Sequence, residues 1–254
     1  MANEPLFTAI RAGDLVAVDR ILTDRPASAS ASDDAGLSAL TVAAYHGQPR
    51  IVERILAAGP DLDRFEAAIV GDVERLTTLL GAAEREREMD RETAGGRRRG
   101  LGPVDGPNGA SRAEADEAAA PIDERSADGF TALHLAAFFG QPAVARLLLE
   151  RGADPNPWAS GDLYVQPLHS AVAGRHADVA EMLIHGGADI GAAQRHGYTP
   201  LMGAAQNGMA ATVDLLLAQG ADPKAYNDDI LTAADLADRA DHPEVAATIR
   251  AAGG

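Results

Sequence analysis

Seven histidines, a large excess of carboxylates and no cysteine set the limits of what this 254-residue chain can do chemically. Without cysteine there is no disulfide, thiolate metal site or cysteine nucleophile. Zinc wants three or four converging ligands, and the histidines at 46, 134, 169, 176, 185, 196 and 242 include no HExxH or comparable ligand pair. His134 with Ser170, or His169 with Asp178, can be assembled on paper into a dyad. A His/carboxylate hydrolase or metal-binding accessory protein is therefore the alternative from the enzyme class. Against it, His134 and His169 stand 35 residues apart at one repeated position, so periodicity accounts for them without chemistry. No GxSxG elbow, phosphate-binding loop or GxGxxG unit occurs. No catalytic residue, cofactor or metal site is expected, and the chain is read as not an enzyme.

The elements that carry these histidines are best seen in Asp128 to Asn156, DGFTALHLAAFFGQPAVARLLLERGADPN. A turn dipeptide, Asp128-Gly129, precedes a helix-like run from Thr131 to Phe139. Gly140 separates it from a second run, Pro142 to Arg151, which closes on Gly152-Ala153-Asp154-Pro155. Leu133, Ala136 and Ala137, then Val144, Leu147 and Leu148, fall at helical spacing and are expected to be buried. Each run is about two turns long, too short to persist alone in water, so each unit needs a neighbour on either side. With Gly140 as anchor, the equivalent positions are Gly13, Gly47, Gly71, Arg175, Gly208 and Asp241, in steps of 34, 24, 69, 35, 33 and 33. Gly-Ala-Asp recurs at 152–154, 187–189 and 220–222. A period near 33 with this content marks a repeat architecture.

TALHLAAFFGQPAVARLLLERGADPN, QPLHSAVAGRHADVAEMLIHGGADI and TPLMGAAQNGMAATVDLLLAQGADP each resemble an ankyrin repeat. The clear matches cover Asp128 to Pro223, with weaker ones from Leu6 to Leu80 and from Asp229 to Ile249. The resemblance implies an all-α solenoid of stacked helix pairs joined by turns, about seven units including degenerate caps, with one flexible insert. It also implies a structural job for His134 and His169, hydrogen-bonded at the start of their helix and to the neighbouring turn, with Thr131 as helix cap.

Three regions are expected. Residues 4–80 hold a cap, one full repeat and one shortened repeat; the step of 24 means that about nine residues of turn are missing, so stacking should change there. Residues 81–125 form a charged Gly/Pro/Arg-rich insert. Its first part, AAEREREMDRE, has charges at helical spacing that extend the preceding helix. The remainder has almost no large apolar residue and is expected to be disordered. Arg97-Arg98-Arg99 within it could bind an acidic partner or mark a proteolysis site, although a solvated loop is the commoner meaning of such a run. Residues 126–254 hold the well-formed repeats and a polar cap bearing Arg239, Asp241, Glu244 and Arg250.

The net charge of −16 disfavours nucleic acid and an anionic membrane surface as partners. No secretory leader and no run of 18 apolar residues is visible, so a cytoplasmic monomer is expected. What remains is recognition of a protein partner by an adaptor or regulator. In the family, partners dock on turn tips and first helices. Carried over, the tips include Ala35, Ala127, Trp158, Tyr164, Arg195, Tyr198 and Tyr226, with His196 beside them, and the first-helix exits include Tyr45, His46, Phe138, Phe139, Gln206 and Asn207. Large aromatics at such positions suit binding hot spots; they could equally cover joints between repeats. A chaperone-like accessory acting through the Arg-rich insert is the third reading.

Overall fold

The computed structural model describes residues 3–93, 121–160 and 164–253. Fourteen helices are found among them, and the first helix of most pairs starts where a side chain takes over an unpaired amide. Ser38 does this for α3 (Ala39–Tyr45), Asp63 for α5 (Arg64–Val70), Thr131 for α7 (Ala132–Phe138), Thr199 for α11 (Pro200–Gln206) and Thr232 for α13 (Ala233–Arg239). The other first helices are α1 (Glu4–Ala12) and α9 (Pro167–Ala173). Their partners are α2 (Leu15–Asp24), α4 (Pro49–Ala57), α6 (Val73–Thr93), α8 (Pro142–Glu150), α10 (Ala177–His185), α12 (Ala210–Ala218) and α14 (Pro243–Gly253). Among the described residues there is no β-strand. Single antiparallel bridges, Ser32 to Ser38, Arg125 to Thr131 and Tyr226 to Thr232, pin the hairpin tips. The all-α helix-pair solenoid expected from the sequence is what the chain forms.

One apolar core runs from Leu6 to Ile249, and each pair contributes to it through the stripe facing its neighbours. Leu133, Val144 and Leu148 are fully buried. Leu147 is not: it is half-buried against the edge of that core, so the expectation of full burial holds for its neighbour Leu148 and fails for Leu147 itself. The reason is geometric. Three adjacent leucines, 147–149, cannot all face inward on a helix with 3.6 residues per turn.

The anchor glycines mark where one repeat seats the next. A Cβ built on Gly140 would lie 2.2 Å from the His176 ring, and one on Gly208 would lie 2.6 Å from the His242 ring. His176 and His242 are therefore packing residues at the starts of α10 and α14, resting on the preceding repeat. Asp241 keeps the same left-handed backbone, φ 63°, with a side chain present. Removing that side chain with Asp241→Gly is expected to stabilise the last repeat by about 0.5–1 kcal/mol, visible as a rise of about 1–3 °C in the melting temperature. An unchanged or lower melting temperature would show that the conformation is unstrained.

Repeat three lacks its hairpin, and the consequence appears on both sides of it. The tip of repeat two reaches the tip of repeat four directly: a Cβ on Gly36 would lie 3.2 Å from that of Ala127. The Tyr45 hydroxyl donates to the Asp128 carboxylate at 2.5 Å, and the Tyr45 ring stacks on Phe139 with centroids 5.7 Å apart. Helix α6 continues through Thr93, so the charged stretch from residue 81 begins as helix. The chain is again described from Pro121, where a 3-10 turn, Pro121–Asp123, buries Ile122. The Arg97-Arg98-Arg99 run and the rest of 94–120 lie outside the described residues.

Candidate functional site

The two buried histidines are held by the backbone. The His134 Nδ1 accepts from the Thr131 amide at 3.3 Å, and its Nε2 lies 3.1 Å from the Val165 carbonyl, which requires the proton on Nε2. His169 repeats the arrangement with the Gln166 amide and the Ala192 carbonyl. Burial pushes the His134 pKa down to about 4 and lowers that of His169, because an imidazolium there would lose its hydration. Each ring thus ties a helix start to the next hairpin, and neither keeps a free nitrogen for Ser170 or Asp178. The turn carboxylates behave likewise: Asp154, Asp189 and Asp222 each accept from a backbone amide two residues ahead. Among the described residues no three metal-binding side chains converge.

The concave face is built from two registers of the first helices, one exposed and one largely buried. Seven residues after each cap stand Tyr45, Phe138, Ala173, Gln206 and Arg239, and four after it stand Val42, Leu135, Ser170, Gly203 and Leu236. Repeat five is therefore small at both registers, and repeat six at the second, where Leu135 and Leu236 are large in their neighbours. The result is a hollow of about 280 Å³, floored by Ser170, Ala173 and Gly203 and walled by Phe130, Phe138 and Tyr198. Gln194, Gln206 and Asn207 supply carboxamides at its rim. Gly203 is also needed for packing, since a Cβ there would sit 2.8 Å from Val172.

The candidate binding residues fall into separate groups. Phe138, Tyr198, Gln206 and Asn207 come together around the hollow. Asn207 is partly committed to the fold, donating to the Val172 carbonyl and accepting from Arg175. Tyr45 and Phe139 form the strut across the shortened repeat, with Phe138 edge-on to Phe139 at 5.2 Å. Trp158 and Tyr164 meet edge to face at 6.3 Å beside hairpin five. Arg195 and His196 are exposed on hairpin six, His196 lying 3.3 Å from Asp228. His46 is exposed at the end of α3. Sequence reasoning missed Ile230, which occupies the Asp-Gly glycine position of the last hairpin and is exposed. An isoleucine where Gly36, Gly129 and Gly197 stand in other hairpins was the available signal.

Residues 128–158 match the family model of the ankyrin repeat, and residues 157–227 match that of a run of ankyrin repeats in three copies. This part of the chain is built of ankyrin repeats, and such repeats mark a protein–protein interaction module. Human neurogenic locus notch homolog protein 4 is 40% identical over 109 residues, 42% of this chain and 5% of that protein. Neurogenic locus notch homolog protein 1 of Danio rerio is 39% identical over 101 residues, 39% of this chain and 4% of that protein. Human SH3 and multiple ankyrin repeat domains protein 2 is 35% identical over 109 residues, 42% of this chain and 6% of that protein. The chain thus spans only 4% to 6% of the length of these relatives. No helix among the described residues is long and apolar enough to cross a membrane.

Proposed function

We propose that this chain is a non-enzymatic adaptor or regulator that holds a segment of a protein partner on its concave face. The observation that carries this reading is the hollow between repeats four and six. Its volume of about 280 Å³ is at or below the lower end for small-molecule sites, roughly 300–1,000 Å³. It is better suited to one or two side chains of a docked segment than to a cofactor. Aromatic walls supply contact area at low entropic cost, and the carboxamides at the rim can bond a partner's backbone. The acidic balance of the chain supports a protein partner over nucleic acid.

Two variants test the hollow without touching the core. Phe138→Ala removes a wall, and Ala173→Trp fills the floor from a position exposed on α9. Immobilised full-length chain is used to capture and identify partners from native lysate, and each partner is then titrated. Both variants are expected to weaken binding by about thirtyfold, near 2 kcal/mol, with helicity unchanged. Wild-type affinity in both would remove the hollow from the binding surface.

A further inference from the structure

The same hairpin position carries a left-handed backbone in five repeats: Gly36, Gly129, Tyr164, Gly197 and Ile230, with φ between 46° and 87°. The three glycines are needed there because the next hairpin covers them. A Cβ on Gly36, Gly129 or Gly197 would lie 3.2, 2.6 and 3.2 Å from Ala127, Ser160 and Asn227 respectively. Ile230 adopts that backbone with a branched side chain, at φ 60°. A β-branched residue in this region is an outlier, and burial does not compensate for it, because Ile230 is 78% exposed. Strain that persists without a packing reward clusters at ligand contacts.

The surroundings point the same way. Tyr226, on the same hairpin, is 68% exposed. Between them lie two exposed carboxylates. Asp228 meets only the exposed His196 at 3.3 Å, and the Asp229 carboxylate has no partner among the described residues. The hairpin itself is rigid: the Asn227 Oδ1 accepts from the amides of Asp229 and Leu231, and the Asp228 amide donates to the His196 carbonyl. Two apolar side chains are thus presented on a fixed support flanked by negative charge, in a chain of net charge −16.

We propose that the last hairpin, through Tyr226 and Ile230 flanked by Asp228 and Asp229, docks a lysine- or arginine-bearing segment of a partner protein that also carries an aliphatic or aromatic side chain. Opposite charge steers the encounter and selects the segment, while the exposed isoleucine and tyrosine provide the apolar contact. This rests on the reading of the chain as a protein-binding module, but it uses the edge of the tips and not the concave hollow.

A random peptide library displayed on phage is selected against the full chain, and the enriched peptides are synthesised with a fluorophore and titrated. Enriched peptides are expected to combine basic and large apolar residues. Their affinity should fall about tenfold or more in Ile230→Gly and in the double variant Asp228→Asn/Asp229→Asn, and should weaken as salt is raised. Ile230→Gly should melt at or above the parent temperature, because glycine relieves the backbone, so lost binding would not be lost folding. Ala173→Trp should leave these peptides bound. The proposal is overturned by acidic or uncharged peptides, by no enrichment, or by unchanged affinity in Ile230→Gly. Peptides lost in Ala173→Trp but kept in Ile230→Gly also overturn it, while leaving the concave reading intact.

Discussion

Leu148→Asp is expected to unfold the repeats on either side of α8, at a cost of more than about 4 kcal/mol. Leu148 has no exposed surface, on a helix, α8, that packs against both α6 and α10. A carboxylate placed there has neither water nor a cation to receive it. In a solenoid the damage also spreads, because each pair is stabilised through its interfaces with its neighbours. Leu147→Asp, one position away and half-buried, should cost much less, on the order of 1–2 kcal/mol. Urea denaturation followed by circular dichroism, with hydrogen exchange across 132–185, separates the two. Equal midpoints for the two variants would mean that the helix is rotated relative to the arrangement described above.

Stability should fall as the solution is acidified from about pH 7 to about pH 5, with His134 alone contributing about 2 kcal/mol of the loss. The sign follows from where protons bind. Burial is the main cause holding the folded His134 near 4, against an ordinary 6.5, while the bond to the Val165 carbonyl pulls the other way. As pH drops through 6.5 the unfolded chain takes up a proton that the folded chain refuses until about 4. The stabilising contribution is therefore complete above 6.5, is lost between 6.5 and 4, and changes little below that. His169 is lowered for the same reason and adds to the slope. Glu66 is raised by burial, so its contribution runs in the opposite direction, being fullest in acid and lost as pH rises through its folded value. Comparing wild type with His134→Asn at each pH cancels the Glu66 effect. A wild-type slope no steeper than that of the variant would refute the assignment of a neutral, buried His134.

The features that could be read directly from the sequence are those fixed by local geometry and repeated. Thr131 with His134, the Gly-Ala-Asp turns and the spaced glycines each answer a local backbone requirement, so the same residue type returns every 33 or so positions. What was not legible depends on contacts between distant residues. Leu147 and Leu148 are equally aliphatic, and only the rotation of α8 against its neighbours distinguishes them. The Tyr45–Asp128 bond joins residues 83 apart and exists because the hairpin between them is missing, so no periodic rule announces it. The hollow is a difference between repeats: Ser170, Ala173 and Gly203 look unremarkable singly and matter only as a group beside Phe138 and Tyr198. Ile230 escaped attention because one exposed aliphatic residue is ordinary on a surface; its backbone angle is what makes it informative.

The seating of His176 on Gly140 and of His242 on Gly208 limits how units of this array can be recombined. Repeat five has Arg175 in place of the glycine, and the residue of repeat six equivalent to His176, at the start of α12, is Met209 and not histidine. A chimera that set a histidine-headed unit directly after repeat five would force an arginine Cβ into an imidazole, by analogy with the 2.2 Å and 2.6 Å approaches at the two glycines. Two junctions of this chain are thus matched, glycine before histidine, and shuffling the units at either would have to move both halves of the match together.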